Sequence, residues 1–391
     1  MQPDAAPPPE PALTPPPGNP RFPLFDGLRA VAVMSVLVGH AAGVTAFNAE
    51  NDLGVLTARL DVGVTIFFLL SGFLLYRPFV SARERGTPAV RWPVFYRRRL
   101  LRIVPAYWVA LTVLSIWPGL PGFGEHTWRY YTFTQIYWID SATQGIGPAW
   151  SLCIEMSFYL ALPLLAAGIA RLVAGRARGM RIELGILALL ALGSTVLRSI
   201  VKAEGGIHVI STTLVTYFDW FAIGMALAVL SVAWHGREHE SRAIGLLRRR
   251  AWVPWAAAGA VYVVVATQFD LPRGFFAIYT DVGYQARHLG YALVALLLLL
   301  PAVFGAAGGG WPRRLLAHPL AMWLGLISYA IFLYQVPLTV WLREHQWWNP
   351  LPGLAFPMQV LATTILTVAF AVASYHLVER PILRHKDRRP R

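Results

Sequence analysis

An arginine and a histidine eleven residues apart, in the apolar stretch LFDGLRAVAVMSVLVGHA (residues 24–41), are the first groups able to do chemistry. Eleven helical residues make about three turns, so Arg29 and His40 share a face and stand about 16 Å apart along the axis. A polar group inside a membrane helix is costly and faces a cavity or a partner. Taken alone, the pair also suits an arginine reaching for the membrane surface and a histidine hydrogen-bonded inside a bundle. The next set is FYRRRLLRIVPAYW (95–108), where Arg99 and Arg102 are i,i+3 neighbours on a short helix. Two guanidinium groups at that spacing can grip a phosphate, and Arg97 and Arg98 join them at the inner membrane face. Each arginine by itself also serves as a membrane-surface anchor. In GPAWSLCIEMSFYLALPLL (147–165), Glu155 lies one turn after Ser151 and one turn before Tyr159. Ionised and unpaired at mid-membrane it would cost ~3 kcal/mol or more, so it is paired, neutral or near the outer surface.

Two further stretches carry polar groups in apolar helices. In VTIFFLLSGFLLY (64–76) the Ser71-Gly72 step either permits close helix packing or thins the wall so that a ligand reaches His40. In LGLISYAIFLYQVPLTVW (324–341), Tyr329, Tyr334 and Gln335 supply hydrogen-bonding groups between helices, and Pro337 loosens the helix.

The elements that must hold these groups are membrane helices. Of 391 residues, 56% are hydrophobic and 14% charged. Several apolar runs are long enough to cross about 30 Å of hydrocarbon. The pattern predicts an all-α, polytopic membrane helical bundle of about ten spans, near 27–46, 62–80, 103–118, 148–170, 182–200, 212–232, 252–268, 284–305, 319–341 and 354–377. Of the 34 basic residues, 27 fall in the two termini and the loops and span ends on their side. By the positive-inside rule both termini are cytoplasmic. The net charge of +14 is then orientation signal and anionic-lipid contact rather than a nucleic-acid footprint.

Residues 1–23 hold ten of the 29 prolines and read as a disordered cytoplasmic tail, not as a secretory signal, and residues 380–391 as a basic cytoplasmic tail. Between them, residues 24–379 form the transmembrane domain. The single cysteine, Cys153, excludes an intrachain disulfide and a cysteine zinc site. HGREH (235–239) fits an H-x-x-E-H zinc pattern but sits in an arginine-rich loop with no third ligand evident, so no metal is expected. GFGEHT (122–127) lacks the third glycine and the preceding strand of a dinucleotide fingerprint.

Taken in order along residues 21–385, FDGLRAVAVMSVLVGH, FFLLSGF, RRRLLRIVPAYW, AWSLCIEMSFY, ISYAIFLYQVP and VERPI resemble the acyltransferase 3 family of integral membrane O-acyltransferases. The likeness is to short members without an SGNH-type domain. One departure is Gln335, where many members carry a histidine. The resemblance implies transfer of an acyl group, usually acetyl, from acyl-CoA to a hydroxyl, in the cytoplasmic (inner) membrane. Arg29, Arg98, Arg99 and Arg102 would receive the phosphates of acyl-CoA. His40 would be the general base. Glu155 would orient the imidazole or hold the acceptor, and Ser71 and Tyr329 would donate to the oxyanion. The acceptor could be a glycan, a lipid or an antibiotic. A transporter or flippase for a lipid-linked or anionic solute is the rival reading of the same interior polar groups.

Overall fold

The computed structural model describes residue 22 and residues 24–176, 178–204, 209–235, 242–274, 279–304, 310–345 and 353–384. The proline-rich tail apart from Phe22, residues 385–391 and most of the HGREH stretch lie outside the described residues. Every regular element among those described is helical.

Eleven helices carry the architecture: α1 (Leu24–Val44), α2 (Val62–Glu84), α3 (Trp92–Ile116), α4 (Ala149–Val173), α5 (Gly179–Ala203), α6 (Leu214–Ala233), α7 (Trp252–Thr267), α8 (Asp281–Phe304), α9 (Pro319–Leu326), α10 (Ser328–Glu344) and α11 (Ala355–Ser374). Eight of the described helices are long and apolar enough to cross a membrane. This is a multi-pass membrane protein. Two of the ten expected segments depart from a plain span. Helix α7 has 16 residues, about 24 Å of rise, which is short for a 30 Å core. The segment near 319–341 is two helices, α9 and α10, bent by 72° at Ile327. The bend falls between Gly325 and Ser328, a small-residue pair of the kind that kinks helices. There the Ser328 hydroxyl donates to the Gly325 carbonyl, and Gly325 lies against the backbone of Asp26.

A second difference concerns the RRRLLR run. It is not a separate short helix but the opening turns of α3, which is continuous from Trp92. Pro93 starts it, since a missing N–H costs nothing in the first turn. Helix α11 likewise continues beyond Ser374, through a π-helical turn (Tyr375–Glu379), to Arg384.

The closest pairing is α2 with α6. It explains Gly72: a side chain there would strike the Phe221 carbonyl oxygen at 2.3 Å, and one at Gly224 would strike the Leu69 carbonyl oxygen at 2.1 Å. Gly72 therefore serves helix approach, the gain being van der Waals contact where lipid supplies no hydrophobic drive. Helix α1 is central, packing on α2, α9, α10 and α11. Gly63 of α2 faces Ala32, Ser35 and Val36 of α1, while Gly39 faces Leu60. These contacts set an antiparallel register between the two helices and place His40 at the level of the residues just before α2.

Candidate active site

Five helices surround one cavity, with about 840 Å³ of unfilled space counted out through its open mouth. Helix α1 contributes Arg29, α2 contributes Ser71, α3 contributes Arg99 and Arg102, α4 contributes Glu155 and Tyr159, and α10 contributes Tyr329. Six of the eight residues singled out from the sequence thus meet in one space, from segments up to 300 positions apart. Arg98 does not line it. One residue from Arg99 is about 100° around the helix, and Arg98 is exposed on another face. His40 does not line it either.

The cavity is cationic at one end and carboxylate-bearing in its wall. Arg29 bonds Asp26 one turn away on its own helix. Arg99 is half-buried and Arg102 exposed. Among the described residues, no protein acceptor takes a hydrogen bond from Arg99 or Arg102. Glu155 faces Arg99 and Glu379 faces Arg102 only as longer-range charges. The Glu155 carboxylate is held instead by two hydroxyls on its Oε1, from Ser71 and, at 2.5 Å, from Tyr159. The carboxyl group thus finds its partners locally, as the sequence required. The Tyr329 hydroxyl donates to the Ile103 carbonyl oxygen at 2.9 Å.

His40 stands further along α1. Its Nδ1 lies 3.2 Å from Oε1 of Gln335, which is fully buried on α10. An amide oxygen can only accept, so Nδ1 is the donor in this contact. The carboxylate acting electrostatically on the ring is Asp61, not Glu155. The cavity wall nevertheless climbs α2 from Leu75 to Val64, eleven residues or about 16 Å. With His40 level with Leu60, the upper end of that wall is about four residues, or 6 Å, short of the imidazole.

A family model described as an acyltransferase domain matches residues 23–376. The chain belongs to the acyltransferase 3 family. Curated relatives agree along most of its length. It is 24% identical over 388 residues to the O-acetyltransferase OatA of Staphylococcus aureus (strain NCTC 8325 / PS 47), covering 93% of this chain and 58% of that protein. It is 26% identical over 384 residues to the putative peptidoglycan O-acetyltransferase YrhL of Bacillus subtilis (strain 168), covering 92% and 55%. It is 24% identical over 386 residues to the peptidoglycan O-acetyltransferase OatA of Listeria monocytogenes, covering 93% and 56%. The chain thus spans a little over half the length of these relatives. No solved structure matches.

Two polar groups near His40 escaped the sequence reading. Asp61 stands immediately before the apolar run of α2, and Arg287 is in the first turns of α8, where it passed as an ordinary loop charge. Their ion pair joins positions 226 residues apart. The only local signal was a charged residue at each of two span ends.

Proposed function

We propose that this acyltransferase 3 chain is a membrane O-acyltransferase that moves an acetyl group from acyl-CoA to a hydroxyl of a glycan. What carries the reading is the pair Arg99 and Arg102: two guanidinium groups in a cavity wall with no hydrogen-bonding protein acceptor among the described residues. A guanidinium taken partly out of water needs an anion, and phosphate is the anion whose geometry it fits. By the charge distribution, the arginine-rich end faces the cytosol, where acyl-CoA is found. The curated relatives are named as O-acetyltransferases, which supports acetyl as the group moved and peptidoglycan as one acceptor class.

Arg99 and Arg102 hold the phosphates at the mouth, with Arg29 adding charge deeper in. The thioester arm lies along the α2 wall, past Ser71, toward His40. His40 Nε2 takes the proton of the acceptor hydroxyl as that oxygen attacks the thioester carbonyl. The C–S bond breaks, the new ester C–O bond stays with the acceptor, and His40 returns the proton to the departing thiolate. Gln335 keeps the ring in the tautomer that leaves Nε2 basic. Glu155, bound by Ser71 and Tyr159, keeps the cavity from being a purely cationic trap that would retain the anionic product.

Purified protein in lipid nanodiscs, supplied with acetyl-labelled acetyl-CoA and a peptidoglycan fragment, tests the reading. Label appearing as a base-labile ester on the glycan, with free CoA released in equal amount, is the expected result. Intact thioester together with movement of solute across a vesicle membrane would instead mark a transporter.

A further inference from the structure

On the His40 side, away from the arginine pair, one carboxylate is set apart from the buried ion pairs. Asp61 accepts from the Tyr291 hydroxyl at 2.5 Å on Oδ1 and from the Arg287 guanidinium on Oδ2. Its side chain is nevertheless 41% exposed, and that of Arg287 is 22% exposed. The ion pair of Arg198 with Asp219 is closed off by comparison, at 2% and 5%. An ionised carboxylate has about four lone-pair positions, so each oxygen of Asp61 retains one beyond its protein donor. Arg287 neutralises the pair, and what Asp61 then offers to an incoming molecule is acceptor capacity without net charge.

The surroundings are fixed. Arg59 is 1% exposed and is anchored to the carbonyl oxygen of Leu271 at 2.8 Å and to that of Pro272. It donates to the Tyr279 hydroxyl at 2.9 Å, which leaves the hydrogen of that hydroxyl to be given elsewhere. The Arg287 guanidinium lies 5.2 Å from the Tyr279 ring centre and 4.9 Å from that of Tyr291. Gly39 faces Leu60 across the α1–α2 contact, and the Asp61 charge acts on the His40 ring. A rigid acceptor pair of oxygens beside a donor hydroxyl matches a molecule rich in adjacent hydroxyls and neutral overall.

We propose that Asp61, held by Arg287 and Tyr291 and flanked by Tyr279, is a carbohydrate subsite that docks a neutral glycan chain on the His40 side of the bundle. Two hydroxyl or amide hydrogens of one sugar unit bond the two carboxylate oxygens, and the Tyr279 hydroxyl donates to a ring or acetamido oxygen. The purpose of the subsite rests on the acyl-transfer reading above; the binding itself does not.

The test measures binding and transfer separately. Full-length protein in nanodiscs is titrated calorimetrically with chitotriose, as wild type, as Asp61→Asn and as the double variant Asp61→Asn/Arg287→Gln, which removes both charges and so leaves no orphaned cation. The wild type is expected to bind. Both variants should bind about 10- to 100-fold more weakly, the loss typical of hydrogen bonds to a charged group. In the transfer assay, Asp61→Asn should raise KM for the glycan by a similar factor and leave KM for acetyl-CoA within about twofold. A purely structural ion pair would give the opposite pattern, with weak binding in the single variant and recovery in the double. That recovery, wild-type affinity in Asp61→Asn, or no chitotriose binding by the wild type would each overturn the subsite. Chitotriose bound at Asp61 with no acetyl moved from acetyl-CoA would leave the subsite standing and remove the acyl-transfer reading instead.

Discussion

Two sets of arginines in the helix bundle are treated in opposite ways. Around the His40 end each arginine is committed to the protein. Arg198 donates to Asp219, to the Thr216 carbonyl at 2.6 Å and to Gln285, while Asp219 also receives His288 at 3.0 Å. Arg129 donates twice to Asp140, which holds that carboxyl below its usual range, and lies 4.2 Å over the Trp138 ring centre. Arg343 donates to the Val44 carbonyl and Arg273 to that of Asn51. At the cavity, Arg99 and Arg102 have no such acceptor among the described residues. Cations of the first kind hold helices together, because removing one partner strands a buried charge. Cations of the second kind are spare donors, and a spare donor in a cavity wall is what a ligand anion completes. Arg83, bonded to Glu183, and Arg313, bonded to the Pro301 carbonyl, belong to the first kind although they lie on the arginine-rich side, so what separates the two cases is whether the protein supplies the acceptor.

The largest expected effect comes from His40, the proposed base. His40→Ala should lower acetyl transfer by about 10²–10⁴-fold, the usual range for a lost general base, with helix content by circular dichroism and gel-filtration behaviour unchanged. Transfer at the wild-type rate would strip His40 of the base role. Next is Arg198→Met, expected to cost up to about 3–5 kcal/mol of stability by leaving the buried Asp219 carboxylate without its permanent cation and with His288 as its remaining ionisable partner, read as a large fall in the unfolding midpoint in detergent. Arg99→Ala should do the converse. Its unfolding midpoint should stay close to wild type while KM for acetyl-CoA rises about 10- to 100-fold, the loss expected for one charge-assisted contact. An Arg99→Ala protein that unfolds as early as Arg198→Met would abolish the contrast between the two kinds of arginine. The smallest effect is expected at Gln335. Gln335→Leu should lower the maximal rate by about tenfold without changing KM for acetyl-CoA, since it removes one hydrogen bond that selects the tautomer.

Much of this was legible in the residue order, for a definite reason. Helical periodicity assigns each polar group an angular position on its own span, and burial cost says that the face it points to must be shared. That is enough to nominate Arg29, Ser71, Arg99, Arg102, Glu155 and Tyr329, which do converge. It does not say which spans are neighbours. The pairing of His40 with Gln335, 295 residues away, depends on α1 lying against α10, and that of Asp61 with Arg287 depends on α2 lying against α8. Arg98 was grouped with Arg99 by proximity in the chain, although adjacent helical residues face different ways. The break at Ile327 was hidden for a different reason. Hydropathy averaged over a window is blind to direction, so two short apolar helices at a steep angle look like one long one.

That break has a mechanical meaning. Just beyond it, Ser328, Tyr329 and Phe332 touch the cavity, and Gln335, on the same helix, grips the imidazole about 9 Å further along. One helix, starting at the angle where α9 turns into α10, therefore supplies both part of the cavity wall and the partner of the imidazole. A ligand that displaced the wall at Tyr329 would act on the same helix that carries the Gln335 amide, six residues further on.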